Sequence, residues 1–333
     1  MFNLLIFVRN IAKIYLESKI KNTETNIIKS KKKLSDIIFE NITLIIALFI
    51  VALVFFMIFE MFKDSESSRN AFGWGFIFSG EWEPVKERFG ALAFVYGTVI
   101  SSLIALLISL PVSIGIAIFL SELAPNIIKT TFSFLIEILA AIPSIIYGFW
   151  GIFVFAPFMR NSVQPYLQSV FGWLPLFQGP TIGIGLLTAG IILAIMITPI
   201  ISAITRDVLK AIPTSQREAA YALGATRWEA IKMALLNAKS GILGATVLGL
   251  GRAVGETMAV TMVIGNRAQI NSSLFEPAYS MASVIANEFA EASSHLHLSS
   301  LIEVGLILLG VTFIINSFAR ILIYSVTRKS DVK

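Results

Sequence analysis

Apolar residues in this chain gather in six long blocks, with the polar residues collected between them. The blocks run about Ile42–Phe62, Leu92–Leu120, Phe132–Phe158, Ile182–Thr205, Ile242–Gly265 and Leu301–Val326. Each reaches the roughly 20 residues that an α-helix needs to cross a bilayer. The pattern predicts an all-α fold, a polytopic membrane bundle of six transmembrane helices. The second and third blocks exceed a minimal span and carry Pro111 and Pro143, which predicts a tilt or a kink in each.

The polar segments between the blocks carry the orientation. Lys and Arg number 19 in segments 1–41, 121–131, 206–241 and 320–333, against 6 in segments 63–91, 159–181 and 266–300. Basic residues are retained on the cytoplasmic side, so both termini are expected inside the cell membrane. The chain then divides into a cytoplasmic basic segment (1–41), a transmembrane domain (42–326) with a cytoplasmic elbow at 206–240, and a cytoplasmic tail (327–333). The first apolar block stands behind the basic segment and reads as a retained helix, not a cleaved signal peptide. Ahead of it, Phe2–Leu16 reads either as an amphipathic helix on the membrane surface or, with Lys29–Lys33, as a basic tail.

Composition agrees with a bilayer-embedded bundle. Hydrophobic residues make up 56% of the chain and charged residues 14%, too apolar for a soluble protein of 333 residues. The formal charge of +5 follows from the basic cytoplasmic segments and needs no nucleic acid. The chain has no cysteine, which removes disulfides, thiolate metal sites and a thiol nucleophile.

The segment between the fourth and fifth blocks, Arg206–Ser240, reads RDVLKAIPTSQREAAYALGATRWEAIKMALLNAKS. Ser215-Gln-Arg-Glu218 and Thr226-Arg-Trp-Glu229 both have capping-box spacing, so each can start a helix. Gly224 lies between them, where a helix end favours the left-handed conformation. A short helix, a sharp turn and a second helix leading to the membrane result. Leu223, Trp228, Ile231 and Leu235 supply apolar contacts. Such an elbow can dock into a groove on a partner or pack on its own bundle, and the residues alone leave both open.

Glu218-Ala219-Ala220, three residues, then Gly224 resembles the EAA loop of the membrane subunits of bacterial ABC importers. The place of the segment before the penultimate span is also similar. Where that family continues with Ile and a Leu-Pro pair, this chain has Ala234 and Leu236-Asn237. Glu218–Tyr221, Gly249–Asn266 (GLGRAVGETMAVTMVIGN) and Ala141–Gly148 (AIPSIIYG) together resemble the phosphate branch of the family, from about residue 36 to the end. The resemblance implies an ABC type I importer permease fold. It implies docking of an ATP-hydrolysing subunit at Glu218, Ala219, Ala220 and Gly224. It further implies a pore shared with a homologous second permease subunit, a cytoplasmic ATPase subunit that uses the ATP, and an external phosphate-binding protein.

Three charges fall inside the apolar blocks. Arg252 and Glu256 are four residues apart on one predicted helix face, and Glu137 lies in the third block. A charge at the bilayer centre costs about 3 kcal/mol on insertion scales, so such residues should face the bundle interior or a water-filled path. Arg252 can meet Glu256, Glu137 or both. One reading makes them a polar patch on the substrate path: a planar guanidinium suits phosphate oxygens, and a nearby carboxylate keeps the anion from binding too tightly to leave. The other makes them an ion pair that locks helices together. Gly251-x-x-x-Gly255 is a small-residue spacing that can let a second permease subunit approach.

The chain carries no phosphate-cradling G-x-x-x-x-G-K-[ST] loop, no HExxH and no nucleophile–base constellation, so no enzyme, cofactor or metal site is expected. His295 and His297, two apart in an outer loop, read as solvated residues. The leading function is the membrane-spanning subunit of an ATP-driven phosphate importer. A permease for another oxyanion, sulfate or molybdate, is the nearest alternative. An ion-coupled transporter or channel would more often show an internal repeat, and none stands out.

Overall fold

A computed structural model describes residues 34–328, and every regular element in it longer than an isolated bridge is helical. The readings made for Phe2–Leu16, Lys29–Lys33 and residues 329–333 lie outside the described residues. The main helices are α1 (Leu34–Asp64), α2 (Leu92–Ile118), α3 (Asn126–Ala141), α4 (Ser144–Phe171, interrupted by π turns), α5 (Leu186–Ala211), α6 (Thr214–Ala222), α7 (Arg227–Val254), α8 (Met258–Val263), α9 (Met281–Glu288) and α10 (His295–Arg328). Five of them are long and apolar enough to cross a membrane, and the bent pair α3–α4 makes a sixth. The described residues fall into two units that divide between Glu60 and Met61. The first contains most of α1, an apolar helix that begins earlier than the apolar block itself.

In the second unit α5 is the central helix, lying along α2 and α7. Small residues let these helices approach, as lipid-embedded packing requires. A Cβ on Gly190 of α5 would stand 2.6 Å from Ile104 Cγ2 on α2, and one on Gly249 of α7 would stand 2.6 Å from Ile201 of α5. Among the described residues the Gly251–Gly255 pair meets no other helix this closely; a Cβ on Gly251 would stand 3.8 Å from the Asn316 side chain. Gly97 of α2 lies so close under the Tyr279 carbonyl that a Cβ there would overlap it, and the next residue, Thr98, accepts the Met281 N–H at 2.9 Å. Gly97→Ala is expected to destabilise the fold by about 1–3 kcal/mol through backbone overpacking. A thermal melt of the purified protein checks it, and an unchanged midpoint would refute the contact.

The two prolines behave differently. Helix α2 runs unbroken through Pro111. At Pro143 the chain turns by 91° between α3 and α4. Ile142 is extended there (φ −63°, ψ 129°), as sterics before a proline favour, and α4 restarts at Ser144.

The fifth block departs furthest from expectation. Elbow helix and span are one continuous helix: α7 runs 28 residues, about 42 Å, and stops at Val254, inside the predicted span. Gly255–Thr257 break it, α8 follows, and the chain then folds back over the start of α5. The unpaired N–H groups there find partners in this returning segment: Gly185 N–H bonds Val263 O at 2.9 Å, Leu186 N–H bonds Glu276 O at 3.2 Å, and Leu187 N–H bonds Leu274 O at 2.8 Å.

At the end of the bundle opposite the elbow, His297 is buried, which corrects its reading as a solvated loop residue. Its ring stacks on Phe89, and its Nε2 lies 3.2 Å from Glu288 Oε2, which also accepts from Trp82 Nε1 at 2.8 Å. His295, two residues earlier, is exposed. Burial pushes the nearby Tyr279 phenol up to about 12, so it stays neutral and accepts from Asn287.

Candidate functional site: the elbow and the broken span

The elbow forms much as its residues suggest. Thr226 makes a complete capping box: its hydroxyl accepts the Glu229 N–H, and Glu229 Oε2 accepts the Thr226 N–H at 2.7 Å. The first box does not form. Pro213 fixes an extended residue (φ −55°, ψ 134°) as the N-cap, which puts Ser215 inside the helix where its hydroxyl caps nothing. Helix α6 closes in a Schellman turn: Ala225 N–H bonds Ala220 O at 3.0 Å, Gly224 N–H bonds Tyr221 O at 2.9 Å, and Gly224 is left-handed at φ +82°.

Along α7, Ala234 and Ala238 are buried with Leu209 at the end of α5, with Leu235 packed beside them, and Ile231 is buried one turn earlier. Leu223 and Trp228 do not join them. They stand 89% and 61% exposed, beside the exposed Tyr221. Of the two readings left open for the elbow, these two side chains are not packed on the bundle: α7 turns its 234–235–238 stripe toward α5. Glu218 and Ala219 are exposed on the same elbow and Ala220 is buried. Tyr221, Leu223 and Trp228 thus leave apolar surface open on an otherwise polar elbow.

The second candidate lies at the break after α7. Arg252 sits in the last turn of α7, where a cation complements the helix dipole, and its side chain is exposed. Glu256 is buried within the break, and its Oε1 accepts the Ala259 N–H at 3.2 Å in the first turn of α8. The two are thus not on one helix face, because the helix ends between them. Glu137 pairs elsewhere: its Oε1 accepts from Arg206 Nη2 at 3.1 Å, and Arg206 also bonds Asp207 at 3.0 Å. Among the described residues no carboxylate lies within ion-pair distance of Arg252, so the expected pairing with Glu137 or Glu256 is corrected.

Space brings the two most specific sequence runs together. Gly148, in the first turns of α4, lies against α8: a Cβ there would stand 2.6 Å from Met262 Sδ and 3.2 Å from Ala259 Cα. Gly151 abuts Val263 in the same way, at 2.8 Å. Tyr147 is buried beside them, its hydroxyl donating to Leu139 O at 2.9 Å across the Pro143 bend. Residues 141–148 and 249–266 therefore wall one place in the bundle.

A family model described as "Binding-protein-dependent transport system inner membrane component" matches residues 109–328, which takes in the elbow, the break and both walls. The chain belongs to this family. It is accordingly a multi-pass inner-membrane transport permease and not an enzyme. Relatives of this permease include the "Phosphate transport system permease protein PstC" of Mesorhizobium japonicum, 47% identical over 89% of this chain and 92% of that one. The protein of the same name from Pasteurella multocida is 46% identical over 90% and 94%. A probable PstC of the archaeon Methanocaldococcus jannaschii is 36% identical over 81% and 88%. Among solved structures, the permease is similar in fold to a chain of the MetNI methionine ABC transporter, with a TM-score of 0.50 at 20% identity over 71% of this chain and 94% of that one.

Some polar contacts of the permease have no local signature. Arg206, 6% exposed, is buried by α3 and α5 together, and Glu122 is joined to Arg217 across 95 residues. Only a carboxylate or guanidinium standing near the end of an apolar block hints at such pairs.

Proposed function

We propose that this permease is one membrane-spanning subunit of an ATP-driven phosphate importer, with both termini on the cytoplasmic side. It would form half of the translocation pore with a homologous second permease subunit. It would use no cofactor of its own; ATP would be hydrolysed by a separate cytoplasmic subunit seated on Glu218, Ala219, Ala220 and Gly224. An external phosphate-binding protein would deliver the substrate. Arg252 and Glu256 are the candidate residues of the path, with Glu137 further along it. The observation that carries this reading is the exposed apolar elbow, with Leu223 and Trp228 turned outward, in a chain nearly half identical to relatives named phosphate permeases.

The test is uptake into proteoliposomes holding the chain with its second permease, ATPase and binding protein. Labelled phosphate, sulfate and molybdate are offered separately. ATP-dependent uptake of phosphate alone supports the assignment. Uptake of sulfate or molybdate instead keeps the importer and discards phosphate, and uptake that ignores the ATPase sinks the importer reading.

A further inference from the structure

The short arm of the elbow, α6, is tied to the ends of α2 and α5 through one ion pair, Glu122–Arg217. Glu122 sits in the π turn Phe119–Leu123 that closes α2. Arg217 of α6 clasps its carboxylate twice, Nη2 to Oε1 at 2.6 Å and Nε to Oε2 at 3.1 Å. The same guanidinium donates to Leu209 O at 2.9 Å, in the last turn of α5, and to Ile212 O at 3.0 Å, in the residue that follows it. Arg227, the first residue of α7, donates to the Glu122 carbonyl at 2.8 Å. Asn237 of α7 bonds Gln216 of α6 at 2.8 Å, tying the two elbow helices to each other.

The ends of α2 and α5 and both arms of the elbow thus meet at Glu122. A two-point guanidinium–carboxylate contact fixes orientation as well as distance, which a single hydrogen bond does not. Both side chains are largely shielded, 13% and 17% exposed, so salt screens the pair less than a surface pair. The guanidinium also stands at the negative ends of two helices. Little else holds α6: of its nine residues only Ala220 is buried, and α6 packs chiefly on α7.

We propose that Glu122 is the joint that passes movement of the elbow to α2, a positioning residue of the transport cycle that itself touches neither substrate nor ATP. The inference rests on the importer reading. Movement of α6 pulls Arg217, Arg217 carries Glu122, and α2 follows as a rigid rod along α5. With the joint cut, the elbow can still seat the ATPase and respond to it, but α2 no longer follows. Hydrolysis then proceeds without uptake.

The experiment uses the whole assembly in proteoliposomes and reads phosphate taken up per ATP hydrolysed. E122A and R217A are expected to lower that ratio about tenfold or more, the size of an ordinary coupling free energy, with hydrolysis nearly unchanged. E122Q retains an accepting oxygen and falls between. The exchange E122R/R217E restores part of the ratio, because the pair re-forms without the bonds to Leu209 and Ile212. An unchanged ratio in E122A overturns the proposal. So does an equal fall of uptake and hydrolysis that the exchange leaves unrescued, and so does loss of assembly in E122Q, since the pair is then only a structural brace. Failure of the wild-type assembly to show ATP-driven uptake overturns the importer reading itself, and this inference with it.

Discussion

Gly224→Val is expected to abolish ATP-driven uptake while the chain still inserts and folds in the membrane. Gly224 holds φ at +82° in the Schellman turn that sets α6 against α7. An L-residue in that conformation costs about 1–2 kcal/mol, and a β-branched one is the worst case. No atom lies within 4 Å of a Cβ built there, so the penalty is wholly one of backbone conformation. The turn relieves it by leaving the left-handed region, which breaks the Ala225–Ala220 bond and swings Tyr221 and Leu223 to new positions. Helix α6 has too little buried surface to resist. The lesion is thus confined to the elbow, and the bundle behind it keeps its packing. Gly244 supplies the control, being helical with open space around it. Gly244→Ala should be neutral or slightly stabilising. Uptake and co-purification of the ATPase subunit are the measurements, and wild-type uptake by Gly224→Val would refute the docking turn.

Which parts of this molecule could be read from its residues follows from how local each cause is. A span needs a long apolar run and little else, so six crossings were legible, including the one bent at Pro143. The stop at Val254 was not, because the residues beyond it remain apolar. Glu256 capping Ala259 is local to the break, but the returning chain that follows it pairs with Gly185, Leu186 and Leu187, which are remote in sequence. Likewise α7 extends back to Arg227 because Glu, Ala, Lys, Met and Leu favour a helix whether or not they are apolar enough to span. Gly224 and the Thr226 box were legible because a cap is decided within a few residues. Ser215 misled because Pro213 settles the helix start two residues earlier. Charges were legible as anomalies but not as pairs: Glu137 announces itself in an apolar block, yet its partner Arg206 lies 69 residues away.

Arg252→Gln separates the two meanings of the intramembrane charges, and it is expected to lower uptake about 100-fold or more with assembly intact, the loss typical of a preorganised donor removed from its anion. Were Arg252 half of a buried structural pair, its removal would strand a carboxylate at about 3–5 kcal/mol, and the assembly would fail. The structure leaves no such debt. Glu137 keeps Arg206, and Glu256 keeps the Ala259 N–H. Arg252 is exposed in the last turn before the break, with no carboxylate among the described residues held to it, so its guanidinium is open to an anion that is not part of the fold. Arg252→Lys retains the charge but not the planar fork and should keep partial uptake. Glu256→Gln still offers Ala259 an oxygen, so the break holds. With its negative charge gone the anion is gripped harder, and turnover falls while apparent affinity rises. Loss of assembly in Arg252→Gln, or uptake that survives it, would return these residues to the role of helix fasteners.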